Sequence, residues 1–250
     1  MIIIGLTGGI GHGKSTFAKY LANNARRHGH WESGEVIAEV ATLLRSSGIT
    51  SPQAVSLEAI NDWLRPLPTI LEQTVHLQIT TPIVLTQSDL AGSRDHFTRL
   101  LEYLQTIQAE PWRQHEPITS TNKEHVRPLL QWLGGYLAKT VSADIWYEEI
   151  VRRVQANPDL QLATIGGVRF PADAKCVRAA GGKIINIIRP QLGQTDLQDL
   201  TERERSLIRV DSIVYNDASL AQLAACAQQV YADLVSKTMA DEYRASAVTA

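Results

Sequence analysis

The stretch from Met1 to Thr16, MIIIGLTGGIGHGKST, constrains the chain more than any other. Gly8, Gly9, Gly11 and Gly13 fall within six positions and run into Lys14-Ser15. Glycine loses the most backbone freedom on folding, so this density predicts a backbone that must come close to something. Residues 2–6 predict a short buried strand, and 14–25 carry Phe17, Leu21 and Ala25 at helical spacing. Strand, glycine loop and helix, with Gly-x-x-x-x-Gly-Lys-Ser from Gly8 to Ser15, is the context of a phosphate-binding loop. Consecutive loop N–H groups form an anion nest, and the helix aims its positive end at the same point. In this pattern Lys14 reaches the outer phosphates of a triphosphate and the Ser15 hydroxyl ligates Mg²⁺. The four glycines and Thr16 complete the cradle. His12 occupies a variable loop position and is expected to face solvent.

The chain has 250 residues, 44% of them hydrophobic and 20% charged, which suits one domain with an insertion or two small ones. A net charge of −2 and a pI near 6.4 give no footprint for gripping nucleic acid, while one local cradle for a small phosphate ligand needs no global positive charge. No basic segment precedes the apolar start and no apolar run reaches the length of a membrane span, so neither a signal peptide nor a membrane partner is expected. Cys176 and Cys226 lack metal-ligand spacing and are expected to be buried thiols in a reducing, cytoplasmic setting.

Residues 34–46 place Val36, Val40, Leu43 and Leu44 on one helical face. Between 50 and 124 prolines and polar residues accumulate, with helical patches at 56–64 and 94–110 and a loop at 110–122. This predicts a mostly helical insertion. Pro128 suits the first turn of a helix over 127–139, and a second helix covers 143–155. The last third alternates: strand 160–166, helix 170–180, strand 183–189, strand 212–216, then a long helix capped by Ser219 with Leu220, Leu223, Ala227, Val230, Tyr231 and Leu234 along one side. Alternation of this kind implies an α/β fold, a parallel sheet with helices on both faces. The organisation expected is a core of 1–49 and 125–240, an insertion at 50–124 and a frayed tail at 241–250.

A phosphate loop does not name a reaction. The base-reading signature of a GTPase is missing, since Thr121-Asn122-Lys123-Glu124 ends in the wrong acid. The acidic strand end of a motor ATPase is missing too, because Leu162–Ile165 runs into Gly166-Gly167. Small-molecule kinases need arginines to neutralise the transferring group. Arg169 and Arg189 follow strand ends, where open α/β sheets bind ligands. Arg203, Arg205 and Arg209 lie in or beside a polar segment, about 190–210, suited to a lid.

The second half resembles the bacteriophage deoxynucleoside monophosphate kinases of the P-loop nucleotide kinase superfamily. The likeness is carried by Arg127-Pro-Leu-Leu-Gln131-Trp-Leu-Gly134, Asp144-Ile-Trp146, Val168-Arg169-Phe170-Pro171, Gly181 to Pro190, Leu200-Thr201-Glu202 and Asp211 to Leu220. The resemblance implies a three-layer P-loop kinase fold and transfer of phosphate from ATP, with Mg²⁺, to a (deoxy)nucleoside monophosphate, often by a homodimer. It puts Arg127 and Arg169 near the acceptor or the transferred phosphate, Arg189 in the lid, and Asn216 near the donor base. Trp132 and Trp146 read as packing residues. Members of the family carry an Asp just before the Val-Arg pair, where this chain has Gly167. Glu35, in a Ser33-Gly34-Glu35 turn, is the candidate carboxylate to stand in for it. Two other readings stay open at this point. The opening GLTGGIGHGKST also resembles the dephospho-coenzyme A kinases, without their Asp-Ala-Asp. The Gly166-Gly167 pair would also suit a non-catalytic nucleotide-binding module.

Overall fold

The computed structural model describes residues 1–46, 56–80, 82–88, 100, 103–104, 116–119, 121–192 and 200–248. They form two compact units, residues 1–33 with 150–250, and residues 34–149.

The first unit is built on a five-stranded sheet: β1 (Ile2–Thr7), β2 (His28–Glu32), β3 (Leu162–Gly166), β4 (Lys183–Ile188) and β5 (Ser212–Tyr215). Their order is β2-β3-β1-β4-β5 and every pair is parallel. The first helix, α1 (Lys14–Ala22), buries Phe17, Ala18 and Leu21 against Ile4 and Leu6 of β1, Leu162 of β3 and Ile185 and Ile187 of β4. A long C-terminal helix, Leu220–Val248, adds Leu223 and Ala227 to that cluster. Each large apolar side chain so removed from water contributes about 1.5–3 kcal/mol before conformational entropy is charged. Even-numbered β1 residues therefore face α1. Gly5, odd-numbered, faces Val177 of the helix Pro171–Ala179 on the other side. Helices on both faces of a parallel sheet give the three-layer α/β architecture expected.

The second unit is helical among its described residues: α2 (Ser33–Ser46, which begins one residue before the division), α3 (Leu57–Leu64), α4 (Leu67–Val75), α5 (Lys123–Thr140) and the start of α6 (Ile145–Gln155). The remaining elements, in chain order, are α7 (Pro171–Ala179), a 3₁₀ turn at Pro190–Leu192, α8 (Leu200–Ser206) and α9, the C-terminal helix already described. Ser56 caps α3 by accepting the Ala59 N–H at 3.1 Å, and the Trp63 indole N–H donates to the Leu44 carbonyl at 3.0 Å. Trp132 and Trp146 are both buried; the first stacks on Tyr136 and the second donates to the Gly134 carbonyl.

Several expectations need correction. The edge strand β2 is not among the strands that the sequence pattern predicts, because HGHWE lacks an apolar alternation. The helix α4 follows Pro66 and carries Pro68 in its first turn, where a missing N–H costs nothing. Pro128 is not in a first turn: α5 starts at Lys123, fixed by Asn122, whose side chain accepts from Thr119 N–H and donates to the Pro117 carbonyl. On α2, Leu43 is 41% exposed while Arg45 is buried, its guanidinium donating to the Glu116 carbonyl at 3.0 Å. On α9, Leu220 is exposed, being too near the helix start to reach the core. Cys176 and Cys226 are both half-buried rather than buried. The helices Ser33–Ser46 and Lys123–Thr140 fall in the second unit, and α9 ends at Val248. Most of the helix expected at 94–110, much of the loop at 110–122 and residues 193–199 of the expected lid lie outside the described residues. Among the described residues no helix is long and apolar enough to cross a membrane.

Candidate active site

The glycine loop, residues 8–13, leaves the carboxyl end of the central strand β1 and runs directly into α1. Its glycines are required by geometry. Gly8 has φ +138°, and a β-carbon there would lie closer than 3.0 Å to the Ile187 carbonyl oxygen of β4. Gly13, the N-cap of α1, has φ +96° and would collide with the Asn216 side-chain amide. No side chain among the described residues caps α1, and its first turn carries no acid, so neither offsets the positive end of the helix dipole. Lys14 Nζ lies over the loop, donating to the carbonyls of Gly8 at 2.9 Å and Gly9 at 2.8 Å. Ser15 is exposed at the second position of the helix. Gly9 is buried and Gly11 has φ +78°.

Two residues hold the loop from neighbouring strand ends. The Asn216 side-chain amide donates to the His12 carbonyl at 3.0 Å, and the Asn216 N–H donates to the Ile188 carbonyl at 2.7 Å. Asn216 thus ties the end of β5 to the loop, a contact that its assignment to a donor base does not foresee. His12 is buried, contrary to the expectation that it faces solvent. Its Nδ1 lies 3.2 Å from the Ile187 carbonyl oxygen and 3.3 Å from the Arg189 backbone nitrogen. A protonated Nδ1 donates to the first and a bare Nδ1 accepts from the second, so one bond is made at a time. The loop closes over the end of β4 with the ring between them.

Arg169 and Arg189 both follow strand ends, with exposed side chains. Arg169 is anchored through its backbone: Asp173, at 4% exposure, accepts the N–H groups of Arg169 and Phe170, each at 2.9 Å. Asp173 escapes a reading of the sequence alone. The available signal is Pro171 at the first helical position with an acid two residues on, a helix-start pattern. After Gly166 the chain turns through Gly167, at φ +70°, and the Val168 N–H donates to the Leu6 carbonyl at 3.1 Å.

The other two candidates belong to the second unit. Glu35 is exposed in the first turn of α2, where the helix dipole favours an acid. Arg127, exposed on α5, pairs with Glu124 one turn earlier, its Nε 2.6 Å from the carboxylate. That hydrogen bond holds the Glu124 carboxyl below its ordinary value and the Arg127 guanidinium above its own. One more carboxylate, Glu32, ends β2 opposite Gly166 and is half-buried; sequence reasoning misses it together with its strand.

This arrangement can grip an anionic tail at the loop and present arginines from adjacent strand ends. Comparison with known proteins gives it a family. No curated protein matches the chain. The family described as deoxynucleotide monophosphate kinase matches residues 68–226, more than half of the chain, including Arg127, Arg169, Arg189 and Asn216. Those residues, and the parallel sheet that carries three of them, make the chain a member of the deoxynucleotide monophosphate kinases, which phosphorylate deoxynucleoside monophosphates.

Proposed function

We propose that the glycine loop binds the triphosphate of ATP and that the γ-phosphoryl group passes from it, in line, to a phosphate oxygen of a deoxynucleoside monophosphate, giving the diphosphate and ADP. One observation carries this reading: Gly8 and Gly13 adopt backbone angles and approaches that a side chain would forbid, directly before an uncapped helix bearing Lys14 and Ser15. The loop N–H groups and the α1 dipole hold the β- and γ-phosphates. Lys14 neutralises charge on them, and Arg169 and Arg189 meet the equatorial oxygens of the transferring group. Asn216 keeps the loop in shape from β5, close to where a donor base would lie, and Arg127 supplies charge to the acceptor. Little proton transfer is needed, since an acceptor phosphate oxygen is already anionic near neutral pH.

A magnesium ion fits this set. Mg²⁺ takes one or two protein ligands beside substrate phosphates and keeps several waters, and the exposed Ser15 hydroxyl beside the loop is such a ligand. When bound, the ion offsets charge across the β- and γ-oxygens. Arg203 and Arg205, on α8, and Arg209 just beyond it add positive charge for the phosphates in this reading. ATP and deoxynucleoside monophosphates meet in the cytoplasm, which is the location this reading carries.

The test is ADP release, coupled to a spectrophotometric signal, over a panel of deoxynucleoside monophosphates with dephospho-coenzyme A and buffer as control acceptors. Turnover is expected on at least one deoxynucleoside monophosphate, and Lys14→Ala should lower kcat by at least about 100-fold. Turnover that survives Lys14→Ala unchanged, or that needs no acceptor, overturns the proposal.

A further inference from the structure

His12 belongs to the glycine loop, yet its ring is buried against the end of β4. A β-carbon at Gly9 would lie 2.6 Å from His12 Nε2, 2.9 Å from its Cδ2 and 3.0 Å from its Cε1. The ring thus leans over Gly9, into space that a side chain there would fill. Its Nδ1 faces two backbone groups of opposite kind, the Ile187 carbonyl oxygen at 3.2 Å and the Arg189 nitrogen at 3.3 Å. With a proton, Nδ1 donates to Ile187 and sets an N–H against the Arg189 N–H. Without one, it accepts from Arg189 and sets a lone pair against the Ile187 carbonyl. An N–H left facing another donor is the worse conflict, since a carbonyl has two lone pairs and tolerates a missing partner better. The neutral ring therefore favours a bare Nδ1, with its proton on Nε2. No heavy atom has to move for the bond to pass from one partner to the other.

Arg189 leads from β4 into the 3₁₀ turn Pro190–Leu192, and its carbonyl accepts the Leu192 N–H at 3.1 Å. Leu192 reaches back to the loop, its Cδ1 3.3 Å from where a β-carbon at Gly11 would stand. The loop therefore meets this turn at two points, the His12 ring and Gly11. We infer that His12 is a positioning residue for Arg189: its bare Nδ1 fixes the Arg189 backbone against the loop, so that the guanidinium is presented to the phosphates, and a proton on Nδ1 releases it. Its effect on turnover rests on the loop being the ATP site and on Arg189 meeting the transferring group. The charged residues on the elements that meet at the ring are Lys14 on the loop side, Arg189 after β4 and Asp217 after β5. Lys14 Nζ donates to the Gly8 and Gly9 carbonyls, and the Asp217 carbonyl accepts the Gln191 side-chain amide at 3.0 Å. Since a gained proton breaks the bond to Arg189, the loss of rate lies on the acid side.

The experiment compares the wild type, His12→Asn and His12→Phe, with thermal melting to show that each is folded. Asparagine can place an amide oxygen where Nδ1 stands and does not titrate, while phenylalanine fills the space of the ring and offers no acceptor. Two readouts need no nucleotide. Nitrogen NMR of the imidazole should find the proton of the neutral ring on Nε2. Hydrogen exchange of the Arg189 amide should be about 10-fold or more faster in His12→Phe than in the wild type or His12→Asn. The third readout is kcat at saturating ATP, magnesium and deoxynucleoside monophosphate between about pH 5 and pH 8, the range in which imidazoles change charge. Substrate phosphates titrate there too, but alike for every variant, so the wild type is read against His12→Asn. That ratio should fall about 3- to 10-fold toward acid, the worth of one hydrogen bond. At about pH 8, kcat of His12→Phe should lie below that of His12→Asn by a similar factor, with KM for the deoxynucleoside monophosphate little changed. A neutral ring protonated on Nδ1, an Arg189 amide that exchanges equally in all three proteins, or superimposable pH profiles of the wild type and His12→Asn would each overturn the inference. A wild type that binds no ATP overturns the parent reading and the effect on turnover, while the two nucleotide-free readouts still decide the bond between His12 and Arg189.

Discussion

Gly8→Ala tests the loop at its tightest point. The residue sits at φ +138°, a region that only glycine occupies without strain, and forcing alanine into it costs about 1–3 kcal/mol. The new β-carbon would also lie 3.3 Å from the carbonyl carbon of Ile187, 3.4 Å from its nitrogen, and nearer still to its oxygen. Those atoms are backbone of β4 and cannot rotate away as a side chain would. Ordinary C···O contacts are about 3.3–3.6 Å, so loop and strand must part by about 1 Å. That movement breaks the approach of His12 Nδ1 to the same carbonyl, a loss of about 1 kcal/mol. The total is about 2–4 kcal/mol, or about 5–15 °C in Tm for a chain of this size. In the ATP-binding role proposed for the loop, a displacement of about 1 Å also costs about 100-fold in rate. Thermal melting and ATP titration measure both. A Gly8→Ala protein with wild-type Tm and wild-type ATP affinity would refute the geometry given for the loop.

Gly135 offers the opposite case: it lies inside α5, exposed, and a methyl group added there would meet nothing within 4 Å, so Gly135→Ala should stabilise by about 0.5–1 kcal/mol in urea melts, and a loss of stability contradicts this. Asp211 governs part of the acid limit. Burial on its own would raise its carboxyl, but the Ile184 N–H and the charges of Arg178 and Lys183 outweigh burial and hold it below the usual value. A depressed carboxyl contributes stability that is present above the unfolded-state value, about pH 4, and is lost as pH falls through the lower folded-state value. Asp211→Asn should therefore flatten the fall in stability below about pH 4, and an unchanged acid slope in urea melts between about pH 2 and pH 6 contradicts it.

The parts of the molecule legible in the sequence are those whose signals are local. The loop is written in its own glycines, and β3, β4 and β5 are apolar runs between turn residues. The edge strand β2 carries its signal elsewhere. Its pairing partner is β3, more than a hundred residues away, and its face toward α1 presents His28, His30 and Glu32. A strand at a sheet edge need not be apolar on both faces, so period-two hydrophobicity gives no warning of it. Glu32 is hidden for the same reason: only the register shows that it stands opposite Gly166. His12 and Arg45 fail in the opposite sense. Each is polar and lies in a segment with exposed neighbours, and each is buried by a distant carbonyl, Ile187 for one and Glu116 for the other. Tertiary hydrogen bonds of this kind leave no trace in periodicity.

Phosphoryl transfer is tested most simply by following the phosphorus. ATP labelled at the γ-phosphate is incubated with magnesium, the protein and a deoxynucleoside monophosphate, and the products are separated by charge. Label is expected in the deoxynucleoside diphosphate, in amounts equal to the ADP formed, and none with Lys14→Ala. Label released only as inorganic phosphate, or left wholly in ATP with every deoxynucleoside monophosphate, would contradict it.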